Sequence, residues 1–277
     1  LYVALARAGL VAVPINFRLT PPEIAYIVQH SGARACVVED ALVEQIESIG
    51  AEITLLPRAR ICIGPSTTTG WTDYETLITD ASSNEPSVLV RPTDTCALMY
   101  TSGTTGRPKG AIRSHAGNTL IALATALAMR FTRDDIGLMV MPMCHANSLY
   151  FSHTFAHLGA SCVIDDRRSF EPEALLATLA NERITFTSLV PTHFIMMLAL
   201  ASNTKASYDV SRVDKLMISS APARRETKLA ILDYFRNGKL FELYGSTEAG
   251  WVTLLHPEEQ IERLGSVGRE WVGSGPI

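Results

Sequence analysis

The chain is 277 residues long, 47% hydrophobic and 19% charged, and carries a net charge of −4 from 24 basic and 28 acidic side chains. That apolar share fills one large core or two joined lobes and excludes a wholly disordered chain. The basic residues are scattered and outnumbered, so no nucleic-acid or membrane surface is expected, and an anionic ligand needs a locally built positive site.

Taken in order, "LYVALARAGL" reads as the back half of a helix that starts before Leu1. "LVAVPIN" is strand-like, and "PPEIAYIVQHSG" carries the early Pro and trailing Gly of a helix. "ARACVVED", "ALVEQIESIG" and "ARICIG" continue as strand, helix, strand. The polar, Pro-containing stretch from Ala81 to Thr95 is the expected boundary between lobes of residues 1–90 and 91–277. Beyond it the strand "CALMY" runs into "TSGTTGRPKGAIRSH".

A strand followed by a Gly/Ser/Thr loop turns backbone N–H groups into an anion cradle. Gly103 and Gly106 permit positive φ and close approach of a ligand. The hydroxyls of Thr101, Ser102, Thr104 and Thr105 donate to phosphate oxygens, and Lys109 adds a point charge. In a Walker A loop Gly-Lys-Ser/Thr opens a helix directly; here Pro108 keeps Arg107 out of the α region. The chain should therefore run extended until Ser114 caps a helix. A polyphosphate is the natural guest, and an ordinary solvated loop is the plain alternative.

"LIALATALAM" is too short for a bilayer, which takes roughly 20 apolar residues, and reads as a buried helix. After it, strand and helix alternate: "GLMVMPM" with "NSLYFSHTFAHLG", "ASCVID" with "EPEALLATLANER", "ITFTSLV" with "PTHFIMMLAL", "KLMISS" with "PARRETKLAILDYF", then "KLFELYG". This alternation argues an α/β fold with a largely parallel sheet covered by helices. His153 and His157 are four apart, but Thr154 stands where a zinc protease has Glu and no third ligand is evident, so packing or surface roles are expected. Neither Gly-x-Ser-x-Gly nor Gly-x-Gly-x-x-Gly occurs. Five separated cysteines without a CxxC read as buried, reduced thiols, and with no signal peptide in view a cytoplasmic protein is expected.

"YTSGTTGRPKG" resembles the phosphate-binding signature of the adenylate-forming superfamily, which holds acyl-CoA synthetases, luciferases and peptide-synthetase adenylation domains. "ELYGSTEAG" is similar to its second signature, from Glu242, Leu243, Tyr244, Gly245, Ser246 and Thr247 to Glu248. Residue types suit the work: Tyr244 to stack a purine, Thr247 to reach the α-phosphate, Glu248 as a hard oxygen ligand for Mg²⁺. "ISSAPARRE" resembles the segment whose backbone lies along the adenine, with Ser219 and Ser220 in place of two glycines and Ala221-Pro222 retained. "MPMCHANSLYF" resembles the Pro-x-x-His segment near the acid, with His145 as the matching residue and Ser148 where the family often has Gly.

The resemblance implies the large N-terminal domain of the adenylate-forming fold, mostly parallel sheets sandwiched by helices, cut at both ends and without the small C-terminal domain. It implies ATP, Mg²⁺ and coenzyme A: a carboxylate attacks the α-phosphate, pyrophosphate leaves, and the thiol then displaces AMP. "CHANSLYF" holds no carboxylate to pair with an amino acid's ammonium, which favours a neutral acyl chain; "FIMML" and "NSLYF" are candidates for its pocket, or plain core faces. Transfer to a carrier protein and a non-catalytic nucleotide-binding module stand as the alternatives. The expectation to be met is convergence of the segments around Thr104 and Tyr244 on one nucleotide.

Overall fold

The computed structural model describes residues 1–65, 68–101 and 106–272. Packing divides the chain into two compact units, Leu1–His115 and Ala116–Ile277. The division falls after the segment from Ala81 to Thr95 because backbone pairing holds the strands that follow it to the N-terminal part. The Ala12 N–H donates to Cys96 O at 2.9 Å, and the Leu98 N–H donates to Ala12 O at 2.8 Å.

The first unit runs α1 (Tyr2–Arg7), α2 (Pro21–Ser31), β1 (Cys36–Glu39), α3 (Val43–Glu47), β2 (Arg60–Ile63), β3 (Thr72–Asp73), α4 (Tyr74–Asp80), β4 (Thr95–Thr101) and β5 (Lys109–Ser114). Helix α2 begins where Glu23 accepts from the Thr20 N–H at 2.8 Å and its hydroxyl at 2.7 Å, and stops at Gly32 with φ 66°. Its Ile24, Ala25 and Val28 pack with Ile46, Ile49 and Ile53 into a small core. β1, β2 and β3 form a parallel sheet, while β4 and β5 pair antiparallel. The expected strand "LVAVPIN" contributes only the bridge Ala12–Ala97.

The second unit follows as α5 (His115–Ala128, its first residue still in the first unit), β6 (Ile136–Met139), α6 (Ala146–Leu158), β7 (Ser161–Ile164), α7 (Pro172–Asn181), β8 (Phe186–Leu189), α8 (Pro191–Leu198), α9 (Ser202–Ala206), β9 (Lys215–Ser219), α10 (Arg225–Tyr234), β10 (Lys239–Ser246), β11 (Gly250–Leu255) and β12 (Arg269–Glu270). Its sheet has the order β12-β11-β10-β9-β8-β6-β7. β10, β9, β8, β6 and β7 are parallel, and β11 and β12 extend one edge antiparallel. β11 was not foreseen: "GWVTLL" follows the Glu242–Gly250 motif as the return arm of a hairpin, a short apolar run without period-2 alternation.

Side chains alternate across this sheet as the strand period requires. Leu189, Leu216, Ile218 and Leu240 pack with Leu175, Leu176, Phe194, Met197 and Ile231 of α7, α8 and α10. The other face gathers Phe131, Phe151, Phe155, Phe186 and Trp251, with ring centroids 4.7–5.8 Å apart where they touch. At the sheet's lower rim Lys215 reaches Asp135 at 2.9 Å, and Thr185 donates to the same carboxylate at 2.9 Å. Burial pushes the Asp135 carboxyl up, but hydrogen bonds from Lys215, the Thr132 N–H and Thr185, with the Lys215 charge, outweigh it and hold it below its ordinary value.

Two expectations need correction. Helix α5 is not buried all round: Leu120, Leu123 and Leu127 are exposed, and the buried face is Ala122, Ala124, Thr125 and Ala126. Small residues take that face because the indole of Trp251 comes close enough to donate to Thr125 Oγ1 at 2.9 Å. The five cysteines are all free, but only Cys62 and Cys96 are buried; Cys36 and Cys144 are half-buried and Cys162 is exposed. Among the described residues no helix is long and apolar enough to cross a membrane.

Candidate functional site

In the first unit, Tyr100 pairs with Gly110 and Thr101 with Lys109 across the β4–β5 ladder. Cross-strand partners share a face, so Thr101 and Lys109 stand together on one side of the hairpin. Lys109 is exposed, and Gly106 has φ 91°, a backbone state that suits glycine. Ser102, Gly103, Thr104 and Thr105 lie outside the described residues.

In the second unit the other candidates gather at one edge. β6, β8, β9 and β10 run parallel, so their C-terminal ends lie on the same side of the sheet. Chain order reverses about β6: β7 is added on one side of it and β8 on the other. In open α/β sheets such a switch opens the crevice where ligands bind. His145 follows β6 as the N-cap of α6, with φ −96° and ψ 145°. Ser220, Ala221 and Pro222 follow β9 and are exposed. Tyr244, Gly245 and Ser246 end β10.

Ser220 has φ 67°, the conformation a glycine adopts without cost. A serine held in this conformation loads the turn with strain. Ser219 is buried, with its hydroxyl in the network described below.

The β10–β11 hairpin is bulged between Tyr244 and Gly245. A Cβ on Gly245 would come within 2.4 Å of Gly250 O, so only glycine fits there. The bulge leaves the Tyr244 side chain outside the core, 55% exposed, as a stacking face requires. In the turn the Ala249 N–H donates to Ser246 Oγ at 3.0 Å. Thr247 is half-buried and Glu248 exposed in the same turn. A solvent-facing carboxylate beside a threonine fits Mg²⁺, which keeps several waters and takes one or two carboxylates together with phosphate oxygens. No group of three or more His, Cys, Asp or Glu able to hold a metal occurs among the described residues.

Glu242 and Leu243 lie inside the sheet. The Glu242 carboxylate forms a buried ion pair with Lys228 of α10, whose ammonium also donates to Leu264 O at 2.7 Å. Burial raises the Glu242 carboxyl, and the Lys228 hydrogen bond and charge offset only part of that. Its carboxylate thus serves the sheet–helix contact.

One group was missed as a unit: Asn147, two residues past His145. Its side-chain amide donates to Ser188 Oγ of β8 and Ser219 Oγ of β9, each at 2.9 Å, and it is buried. The available signal was an Asn at a helix start matched by Ser at two strand ends. The rest of "NSLYF" is buried, and in "FIMML" Phe194 and Met197 are core while Ile195 and Met196 are exposed.

The family model described as "AMP-binding enzyme" matches residues 1–274. The chain belongs to this family. Among AMP-binding relatives, it is 31% identical over 269 residues to a feruloyl-CoA synthase of Amycolatopsis sp, covering 96% of this chain and 50% of that protein. It is 32% identical over 248 residues to 4-hydroxybutyrate–CoA ligase 2 of Metallosphaera sedula, covering 87% and 44%. Its fold superposes on the N-terminal domain of FACL13 from Mycobacterium tuberculosis with a TM-score of 0.83 at 27% identity, covering 97% of this chain and 65% of that one. The chain spans about half the length of the curated relatives it matches.

Proposed function

We propose that the protein to which this chain belongs activates a carboxylic acid with ATP and passes the acyl group to coenzyme A, releasing pyrophosphate and AMP. The observation that carries this reading is the gathering of His145, Ser220–Pro222 and the Tyr244–Glu248 turn along the C-terminal ends of β6, β9 and β10, with His145 beside the switch in strand order. Relatives named as feruloyl-CoA synthase and 4-hydroxybutyrate–CoA ligase support the reaction class.

In this reading a carboxylate oxygen of the acid bonds to the α-phosphorus, and the bond to the bridging oxygen breaks with its electron pair leaving on pyrophosphate. The coenzyme A thiol then adds to the acyl carbon and AMP departs. Bringing an anion against a polyanion makes charge neutralisation and alignment the main catalytic tasks. The segment Thr101 to Gly106 takes the β- and γ-phosphates through N–H groups and hydroxyls, with Lys109 supplying charge. Tyr244 stacks on the purine, the Ser220–Pro222 backbone runs along its edge, and the Thr247 hydroxyl donates to the α-phosphate. His145 stands at the acid's carboxylate. Glu248 would hold Mg²⁺, which supplies further neutralisation of the phosphates when bound.

The acid is read as uncharged beyond its carboxylate, a fatty or other lipophilic acid, because His145 to Phe151 holds no acidic side chain to pair with an ammonium. Five free thiols fit a reducing compartment such as the cytoplasm. The test is acid-dependent ATP–pyrophosphate exchange by the full-length protein across a panel of fatty and aromatic acids, followed by coenzyme A-dependent release of AMP. Exchange with at least one acid and thioester formation are expected. ATP binding without exchange for any acid overturns the reading in favour of a nucleotide-binding module. Exchange without a coenzyme A thioester, with a carrier protein acylated instead, overturns the acceptor.

A further inference from the structure

Helix α2 turns its apolar face, Ile24, Ala25 and Val28, into the core of the first unit. Tyr26 and His30 lie off that face and one turn apart, so they project side by side. Their rings stack with centroids 5.2 Å apart. Together they hold both arms of the β4–β5 hairpin. On the β4 side, His30 Nδ1 hydrogen-bonds the Tyr100 hydroxyl at 2.7 Å, and the two rings meet edge to face at 5.8 Å. On the β5 side, the Tyr26 hydroxyl donates to Pro108 O at 3.2 Å. The guanidinium of Arg107 lies over the Tyr26 ring, 5.8 Å from its centroid.

The Tyr100 ring also crosses Gly110 on the opposite strand, where an added Cβ would meet its Cζ at 3.2 Å. Because strand side chains alternate, the face bearing Tyr100 and Gly110 is the reverse of the one bearing Thr101 and Lys109. The α2 contacts therefore grip the back of the hairpin and leave the Lys109 face open.

We infer that Tyr26 and His30 are positioning residues for polyphosphate: they fix the two arms of the β4–β5 hairpin from behind, and so set where Thr101 and Lys109, on its open face, meet the β- and γ-phosphates. This rests on the proposed ATP-dependent reading. It assigns to α2 a role in nucleotide binding that its core face does not require.

The experiment compares ATP with AMP, which lacks the two phosphates concerned. Tyr26→Phe, His30→Ala and Tyr100→Phe are made in the full-length protein, and direct binding of each nucleotide is measured beside acid-dependent exchange. Each variant is expected to raise Kd and KM for ATP roughly two- to tenfold, the worth of one ordinary hydrogen bond. Kd for AMP and KM for the acid stay unchanged. His30→Gln, which keeps a hydrogen-bonding group near Tyr100, restores part of the loss, and His30→Ala with Tyr100→Phe costs less than the sum of the two. Equal weakening of ATP and AMP, or a fall in melting temperature with ATP binding unchanged, overturns the inference and makes the contacts ordinary packing. Wild-type protein that binds ATP but shows no acid-dependent exchange defeats the proposed function instead, and the ATP-versus-AMP comparison still judges this inference.

Discussion

The second unit carries its candidate residues at the ends of strands buried on both faces, with Asn147 tying the ends of β8 and β9 together and Lys228 pairing with Glu242 of the strand that leads into the Tyr244 turn. The first unit carries its candidates on a two-stranded hairpin gripped from behind by rings at the rim of a small core. The buried edge places an aromatic face and a few hydrogen-bonding groups by over-determined packing, and a change there should cost stability. The hairpin is held by a handful of contacts, two of them from residues off the core face of α2, and a change there should cost ligand before it costs the fold.

The largest effect is expected at the strand that leads into the Tyr244 turn. Lys228→Ala leaves the Glu242 carboxylate buried without its partner and should destabilise the protein by about 3–5 kcal/mol in urea unfolding, whereas Lys228→Met with Glu242→Leu together should recover most of that. A loss of under about 1 kcal/mol on Lys228→Ala would mean that the pair is better solvated than its burial shows. The sign with pH follows from the raised Glu242 carboxyl: holding it ionised costs the fold, so stability falls as pH rises from the ordinary carboxylate value through the raised one. Losing Lys228 should carry that fall on to higher pH.

Next comes Asn147→Ala, which strips Ser188 and Ser219 of a common partner and should cost about 1–3 kcal/mol. If the same variant leaves the urea midpoint unchanged, the contrast between the two regions fails at its best-connected point. Asp135 gives a test by pH. Its lowered carboxyl contributes stability that is present above its ordinary value, roughly 3.9, and lost as pH falls through the lower folded value. Asp135→Asn should flatten the acid limb of the stability profile below about pH 4 while lowering the plateau.

Smaller effects sharpen the hairpin side. Thr20→Ala weakens the start of α2 by about 1 kcal/mol and, if α2 positions the loop, should raise KM for ATP more than KM for the acid. The smallest expected change is a gain. Ser220→Gly relieves the positive φ at a cost in chain entropy and should stabilise by about 0.5–1 kcal/mol, read as a higher melting temperature, while Ser220→Val should do the reverse.

The parallel core was readable because both-face burial writes itself as short apolar runs: "ITFTSLV" became β8 and "KLMISS" became β9. The arm after Pro108 was readable too, because the proline keeps the chain extended up to Ser114, whereas the strand "GWVTLL" was harder, since it owes its state to pairing with a neighbour and not to its own pattern. α5 misled for a related reason. Its leucines look like a core stripe, but the face turned inward is alanine and threonine, where the Trp251 indole donates to Thr125. At the candidate site the residue types and spacings were legible. That Glu242 spends its carboxylate on Lys228 was not, because its partner is 14 positions away on a helix whose own sequence shows only a lysine three residues after Arg225.

What the sequence determined by itself was the alternation of strands and helices, the run of Gly, Ser, Thr and Lys in the proposed phosphate segment, and the second motif with its Tyr, Thr and Glu. These are local: backbone freedom, side-chain chemistry and period are properties of a few neighbouring residues. Only the tertiary structure decided which serine takes the positive φ, which carboxylate is buried and paired, and which helix braces the hairpin. Each of those depends on residues that the chain brings together from far apart, through contacts that no short window of sequence contains.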